Sequence, residues 1–259
     1  MPSIDQFGLT LFNLREHLKT REDVQTTLQK VAAIGYRTVQ VSGMSADLMP
    51  AEELRDLCGE NQLTICGTHE PGKKILEETD WVIERLTKLG CKLTAYPHPG
   101  GFDLTSTDDL SRLIRGLDEA GAKMREAGLS LLYHNHAFEL VRNGETTALE
   151  RIYAETSPEN VKAEIDVHWI QRGGASPEKW MRRVAGRQPI VHLKDFKVDT
   201  KNQADFAELG QGNLDLKEIV RLAEEGGTEW YIVEQDTCPG DPFESMAISF
   251  DYIQKQLAT

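Results

Sequence analysis

The feature that most restricts the fold is a regular alternation of two kinds of segment along the chain. Apolar runs of strand length are followed by amphipathic runs of helix length, and this pair recurs eight times in 259 residues. Each pair takes about 32 residues, which is the size of a strand–helix–strand step. Strict alternation of this kind predicts a parallel sheet with right-handed crossovers.

The boundaries of the segments are marked by glycine, proline and polar residues. The predicted strands cover residues 7–12, 38–41, 63–66, 92–96, 129–132, 161–166, 190–193 and 231–234. The predicted helices cover about 21–34, 50–58, 74–89, 107–127, 146–154, a segment opened by Pro177, 216–225 and 242–257, with a long loop at about 197–213.

Eight strand–helix units with no candidate linker between them predict an α/β fold, a single (β/α)₈ TIM barrel over residues 1–259. The alternative is an open, doubly wound sheet. That fold typically carries a GxGxxG phosphate-binding turn after its first strand, and this chain has none.

Composition restricts the partners and the compartment. The net charge of −13 argues against a nucleic-acid partner, which would favour a basic surface. No apolar run approaches the length of a membrane span, and the N-terminus lacks a basic region followed by an apolar one. We therefore expect a cytoplasmic protein without a membrane partner, with its four scattered cysteines reduced.

Polar side chains follow several predicted strands at the point where each strand ends. After the fifth strand come His134, Asn135, His136 and Glu139, where a chain built only for packing would begin a turn. The other strand ends contribute His69, Glu70, Tyr96, His98, Asp166, His168, His192, Lys194, Asp195, Glu234 and Asp236. Barrel enzymes place their active sites at the carboxyl ends of the strands, so these residues predict a site there.

The spacing of four of these residues predicts a metal site. Glu139 and Asp166 are 27 residues apart, and Asp166 and His192 are 26 apart, each close to one strand–helix unit. Glu234 follows His192 by 42 residues, one unit plus the long loop. We expect the four side chains to converge on a divalent ion, Mn²⁺ first, with Mg²⁺, Co²⁺ or Zn²⁺ as alternatives because no thiolate selects zinc. A helix-capping role for Asp166 and a solvated loop at Glu234 remain open alternatives.

The motifs along the chain resemble the xylose isomerase-like barrels, also called sugar phosphate isomerases/epimerases. The resemblance covers essentially the whole chain, and the order and spacing of its short motifs make it specific. The motifs are FGLTLFNLR at 7–15, YHNHxxEL at 133–140, DVHW at 166–169 with Gly173 and Gly174, HLKD at 192–195, GQGNLD at 210–215 and VEQD at 233–236.

The resemblance implies a divalent metal held by Glu, Asp, His and Glu, which map by position to Glu139, Asp166, His192 and Glu234. Sugar epimerases of this superfamily usually carry a Glu-Pro pair at the end of the fifth strand. Here the strand ends in residues 133–136, Tyr-His-Asn-His. This pattern is closer to the inosose dehydratase and keto-glycoside lyase or hydratase branches.

These observations predict a metal-dependent isomerase/epimerase or lyase that acts on a sugar, keto-sugar or inositol derivative by deprotonation next to a metal-bound carbonyl. The predicted catalytic residues are Glu139, Glu234, His136 and Lys194, with Glu234 or His136 as the base. The predicted substrate-binding residues are His69, Tyr96, His98, His134, His168, Trp169 and Arg15. Alternatives remain open: a salt bridge from Lys194 to Asp195 or to another carboxylate behind the ligands, a surface position for Arg15, and core packing for Trp169 and Phe138.

Two other functions are compatible with such a barrel. An endonuclease IV-type phosphodiesterase would use three zinc ions and a surface attractive to phosphates, which the acidic composition disfavours. A non-catalytic subunit of a sugar-processing complex would keep the fold without the chemistry. We expect a small carbohydrate as the ligand, and a homo-oligomer or a partner subunit is compatible with the sequence.

Overall fold

The structure, a computed structural model that describes residues 1–259, is built around a closed barrel of eight parallel strands. The strands are Phe7–Thr10, Thr38–Val41, Thr64–His69, Leu93–Tyr96, Ser130–His134, Val161–Asp166, Ile190–Leu193 and Trp230–Val233. Phe7 and Leu9 on the first strand pair with Tyr231 and Val233 on the eighth, which closes the barrel. The predicted TIM barrel is confirmed, and the open sheet is excluded.

Helices connect the strands around the outside of the barrel. They are Arg21–Ile34, Ala51–Glu60, Gly72–Glu77, Thr79–Leu89, Thr107–Glu126, Ala148–Glu155, Val167–Arg172, Pro177–Arg183, Leu216–Glu225 and Pro242–Tyr252. A single cluster of 58 buried apolar residues fills the space between the strands and the helices. No helix is both long enough and apolar enough to span a membrane.

The first strand ends at Thr10 instead of residue 12, and the third extends from Thr64 to His69. Three further predictions differ from the structure for a physical reason. The predicted helix over 74–89 is two helices, because Glu78 leaves the helical region at φ −132° and ψ 44°. The predicted helix start at 146 moves to Ala148, because Thr146–Thr147 pairs with Arg142–Asn143 in a short hairpin. The long loop after the seventh strand contains a second hairpin, Asp195–Val198 with Ala204–Ala207.

The inside of the barrel has two layers of different chemistry. Toward the amino ends of the strands, a small apolar cluster fills the interior: Cys66, Ala95, Leu132, Ile190 and Ile232. The strands approach so closely here that a Cβ added to Gly8 would lie 2.8 Å from side-chain carbons of both Ile232 and Thr38. Toward the carboxyl ends, polar and charged side chains take over, and they form the site described next.

Candidate metal centre at the barrel mouth

Four side chains at the carboxyl ends of four successive barrel strands converge on one point. The candidate ligand atoms of His134, Asp166, His192 and Glu234 all lie within 4.8 Å of one another, and all four residues are buried. They come from the fifth to the eighth strands, where strand register sets Asp166 directly beside His192. Three of the four residues predicted from sequence as ligands are therefore brought together, and His134 joins them.

Glu139 lies apart from this cluster. Its side chain is fully buried, and both of its oxygens are already used. Oε2 accepts a hydrogen bond from the backbone N–H of His136 at 2.7 Å, and Oε1 accepts one from the hydroxyl of Tyr133 at 3.1 Å. The chain leaves the fifth strand at His134, so Glu139 sits in the following short helical turn and holds that turn against the strand.

Asp166 serves both the helix that follows it and the cluster. Its Oδ1 accepts a hydrogen bond from the backbone N–H of Trp169 at 3.1 Å, which caps the next helix. Its Oδ2 has no hydrogen-bond partner of good geometry and lies 2.9 Å from the ammonium of Lys194. Asn135 fixes the strand end by accepting the backbone N–H of Asp166 at 3.0 Å. The helix-capping role is thus filled by Oδ1, and Oδ2 is the oxygen left for the predicted role as a metal ligand.

Lys194 is almost fully buried, and its ammonium lies among three carboxylates. Nζ is 2.9 Å from Asp166, 3.0 Å from Glu234 and 2.9 Å from Asp236. The salt bridge to Asp195 that sequence left open is absent, because the Asp195 carboxylate accepts backbone N–H groups of the following loop, including those of residues 210 and 212. Lys194 therefore compensates the charge of the site.

His192 connects this ion cluster to the barrel interior. Its Nδ1 lies 2.7 Å from Oε2 of Glu234, and its Nε2 lies 2.9 Å from Oε1 of Gln40. Burial alone would lower the pKa of His192, but the carboxylates of Glu164 and Glu234 outweigh it and raise the pKa to about 10. Burial likewise opposes the ionisation of Glu234, yet Lys194 and His192 hold its pKa well below the usual value. His192 is therefore protonated at neutral pH, and its Nδ1–H donates to the ionised Glu234.

Sequence reasoning missed Glu164, the most connected carboxylate of the site. It is fully buried and lies 2.5 Å from Nε2 of His69, 3.1 Å from Nδ1 of His134 and 2.7 Å from Nε2 of Gln40. Burial opposes its ionisation, but the charges of His192 and His69 and the hydrogen bonds from His134 and His192 together outweigh burial and hold its pKa well below normal. The available signal was the period of two along the sixth strand, which puts Lys162, Glu164 and Asp166 on one face.

A cavity of about 360 Å³ opens above the cluster. It is lined by six of the residues predicted from sequence: His69, His98, His134, His136, Lys194 and Glu234. Ser42, Glu70 and Asp236 add polar groups to its wall. The volume suits a ligand the size of a small carbohydrate, and most of the residues that line the cavity carry hydrogen-bonding groups.

The other predicted substrate-binding residues do not line this cavity. Tyr96 is buried beside Gly72 and stacks on Tyr133. Arg15 donates to the backbone oxygen of Asp236 at 2.9 Å and so ties the loops after the first and eighth strands together. His168 is buried, with its ring 4.4 Å from that of Phe206, and Trp169 packs beside them.

The aromatic rings near the seventh strand hold the long hairpin in place. Nδ1 of His168 bonds the backbone oxygen of Asp195 at 3.0 Å, and Phe196 and Phe206 pack on its ring. Burial lowers the pKa of His168 to about 4, so the ring is neutral. Trp169 lies over Lys194, with Nζ 5.1 Å from the ring centre. These contacts fix Lys194 from above.

The charges of the cluster fit a divalent cation. Three buried carboxylates, Glu164, Asp166 and Glu234, meet only two cations, Lys194 and protonated His192, which leaves one negative charge in excess (3 − 2 = 1). Burial raises the pKa of Asp166 to about 6 despite the nearby Lys194. Burial lowers the pKa of His134 well below normal, so its ring is neutral and has a lone pair to donate. Carboxylate and imidazole donors of this kind suit Mn²⁺, Mg²⁺, Co²⁺ or Zn²⁺.

Comparison with known proteins agrees with the fold. The family model described as xylose isomerase-like TIM barrel matches residues 28–256. A crystal structure of a sugar phosphate isomerase/epimerase from Parabacteroides distasonis superposes with a TM-score of 0.83 over 97% of this chain and 94% of that one, at 22% identity. At that identity the likeness concerns the fold.

Curated relatives are similar over part of their length. An inosose dehydratase of Lacticaseibacillus casei is 29% identical over 157 residues, covering 53% of this chain and 51% of that protein. An inosose dehydratase of Geobacillus kaustophilus is 27% identical over 203 residues, covering 66% and 65%. The chain thus spans about half the length of the first relative and about two thirds of the second.

Proposed function

Because the chain belongs to the xylose isomerase-like TIM barrel family, we propose that it is a divalent-metal-dependent lyase or isomerase acting on a sugar, keto-sugar or inositol derivative. The observation that carries the proposal is the convergence of His134, Asp166, His192 and Glu234 beneath a polar cavity. The relatives named inosose dehydratase favour elimination of water over epimerisation. Mn²⁺ is the metal we propose first, and Mg²⁺, Co²⁺ or Zn²⁺ suit the same donors.

The proposed ligand set replaces Glu139 with His134. His134 ends the fifth strand, and its ring belongs to the cluster. Glu139 lies in the turn after this strand, and both of its oxygens accept hydrogen bonds from other groups. His134 also follows the period of the barrel better, since it precedes Asp166 by 32 residues (166 − 134). In this proposal Glu139 holds the backbone of His136, the predicted base, in place.

A divalent cation bound by these four residues would polarise a substrate carbonyl and stabilise the negative charge that develops on its oxygen. His69 and His136 line the cavity with His134, and each has its ring centre 5.0 Å from that of His134. One of the pair takes the proton from the carbon beside the carbonyl. The other gives a proton to the hydroxyl on the next carbon as its C–O bond breaks, so that water leaves.

Lys194 keeps the carboxylates of the site ionised and in place. Its ammonium bridges Asp166 and Glu234, which without it would repel each other in a buried position. It also lines the cavity. His98 and Ser42 at the cavity wall are placed to bind further hydroxyl groups.

The charge of the cavity disfavours the nuclease alternative. Glu70, Glu234 and Asp236 line it together with a single lysine, so its wall is negative on balance. A phosphodiester carries its own negative charge and would be repelled unless several metal ions compensated it. The metal content of the protein distinguishes the two functions, because the nuclease type needs more than one ion.

The test is elemental analysis of the purified protein after loading with Mn²⁺, combined with assays on inososes, 3-keto-glycosides and ketoses. We expect about one ion per chain, removed by a chelator together with the activity. Asp166→Asn and Glu234→Gln should each lose the ion and lower activity by more than about 100-fold, since even residues behind the ligands typically contribute 10- to 100-fold. His17→Ala, on the exposed surface, is the control.

Two results would contradict the proposal. The first is a protein that takes up no metal under any loading condition. The second is full activity in both Asp166→Asn and Glu234→Gln.

A further inference from the structure

Glu164 occupies a position that the proposed reaction does not explain. It lies inside the barrel, on the same face of the sixth strand as Asp166 but two residues deeper, and it is fully buried. It neither lines the cavity nor belongs to the proposed ligand set. A buried carboxylate is costly unless it is fully hydrogen-bonded, so its partners should reveal its use.

The partners of Glu164 are imidazoles and one amide. Oε1 is 2.5 Å from Nε2 of His69 and 3.1 Å from Nδ1 of His134, while Oε2 accepts from Nε2 of Gln40 at 2.7 Å. Glu164, His69, His134 and His192 form a second group whose ligand atoms lie within 4.8 Å of one another. At 2.5 Å the contact between His69 and Glu164 has the length of a short, charge-assisted hydrogen bond.

The contacts fix which nitrogen of each ring carries hydrogen. An ionised carboxylate only accepts hydrogen bonds, so the ring nitrogens that face it must be the donors. The hydrogen is therefore on Nε2 of His69 and on Nδ1 of His134. Nδ1 of His69 and Nε2 of His134 are the ring nitrogens that do not bond Glu164. Both residues line the cavity, so these are the nitrogens left for a substrate and for a metal.

Gln40 determines in the same way which nitrogen of His192 carries hydrogen. Its Nε2 donates to Glu164, which turns its Oε1 toward Nε2 of His192 at 2.9 Å. An amide oxygen also only accepts, so Nε2 of His192 carries hydrogen. Nδ1 of His192, which faces Glu234, is then the nitrogen available as a ligand.

We propose that Glu164, acting with Gln40, is a positioning residue that sets the tautomers and ring orientations of His69, His134 and His192. The part concerning metal affinity rests on the proposed function; the part concerning the tautomers does not. Carboxylates behind metal-bound histidines act in this way, and their loss typically weakens metal binding by 10- to 100-fold.

The experiment compares Mn²⁺ affinity, by competition with a chelator, in four proteins. Glu164→Gln keeps the size of the side chain but sets its amide N–H₂ against a neighbouring donor, and it should weaken binding about 10- to 100-fold. The exchange Gln40→Glu with Glu164→Gln preserves every hydrogen bond of the network and should restore the affinity to within about threefold, because the two changes compensate each other. Thr68→Val, which removes the buried hydrogen bond to Thr94 elsewhere in the barrel, should leave the affinity unchanged.

A second measurement needs no metal. Ring ¹⁵N shifts of the chelator-treated wild-type protein should show hydrogen on Nδ1 of His134 and on Nε2 of His69, and Glu164→Gln should change both. Hydrogen on Nε2 of His134 in the wild type would overturn the proposal. Unchanged Mn²⁺ affinity in Glu164→Gln would also overturn it, and so would an exchange variant that fails to regain the wild-type affinity. If the wild type bound two ions and Glu164→Gln only one, Glu164 would be a ligand and the proposal would be wrong.

These measurements also separate the two proposals. A wild-type protein that binds no metal would end the proposed function. The ring nitrogens would still report whether Glu164 sets the tautomers.

Discussion

The two layers inside the barrel are built by the same strands but differ completely in chemistry. On the fifth strand Leu132 lies in the apolar layer and His134 in the polar one; on the seventh strand Ile190 and His192 divide in the same way. Two residues along a strand bring the next side chain onto the same face, one step closer to the mouth. A single step thus separates the part of the interior that packs from the part proposed to do the chemistry.

The difference shows what each layer needs in order to be stable. The apolar layer is complete once its side chains are packed, because burial of apolar surface is favourable by itself. The polar layer buries three carboxylates, and each is costly unless a cation or hydrogen-bond donor lies beside it. We therefore expect substitutions in the apolar layer to change stability, and those in the polar layer to change metal binding and the response of stability to metal and pH.

Lys194→Met should give the largest effect on stability. Removing the ammonium leaves Asp166, Glu234 and Asp236 without their shared partner, and breaking a buried ion pair on one side typically costs about 3–5 kcal/mol. We expect this loss in denaturant unfolding with a chelator present. Added Mn²⁺ should stabilise the variant more than the wild type, because it supplies the missing positive charge, while activity stays lost. Equal stability of variant and wild type without metal would mean that the carboxylates are not held by Lys194.

Leu132→Ala tests the apolar layer with a cavity. Leu132 is fully buried, and truncating a buried leucine costs about 2–5 kcal/mol. The free energy of unfolding should fall by this amount, whereas Mn²⁺ affinity should not change. The matched variant is His134→Ala, two residues further along the same strand, which should lose the metal. If both variants weaken metal binding alike, the two layers are not separable.

Much of the fold follows from the sequence because alternation is repeated over the whole chain. Eight strand–helix units leave few arrangements, and errors at single boundaries do not change the count. The boundaries that differed depend on tertiary contacts. The helix starts at Ala148 because the two residues before it pair with Arg142–Asn143. No proline or glycine marks the break between helices at Glu78.

The site was predictable where residues follow strands at equal intervals. Asp166, His192 and Glu234 meet as their spacing indicates, although their role as ligands stays a prediction. Glu139 was selected by its charge and by a spacing that is a few residues short of one unit. Glu164 was missed because the period of two places it on the face of Asp166 but does not indicate that three imidazoles from other strands surround it.

The proton between His192 and Glu234 gives the smallest expected effect, and it appears only without metal. In the folded chain the pKa of His192 is raised to about 10, above the unfolded value near 6.5. The folded state therefore holds the proton more tightly. The resulting stabilisation is fully present below pH 6.5 and is lost as the pH rises toward 10.

Chelator-treated protein should lose about 2 kcal/mol of unfolding free energy between pH 6.5 and 8, since one proton per pH unit is worth about 1.4 kcal/mol. Asp166 does not interfere in this window, because the change caused by its raised pKa is nearly complete at about pH 6. His192→Asn should lack the loss, and bound Mn²⁺ should remove it from the wild type by taking the place of the proton. If His192→Asn loses the same unfolding free energy between these pH values as the wild type, the proton belongs to another group. The carboxylates of the polar layer would then be compensated by a different positive charge.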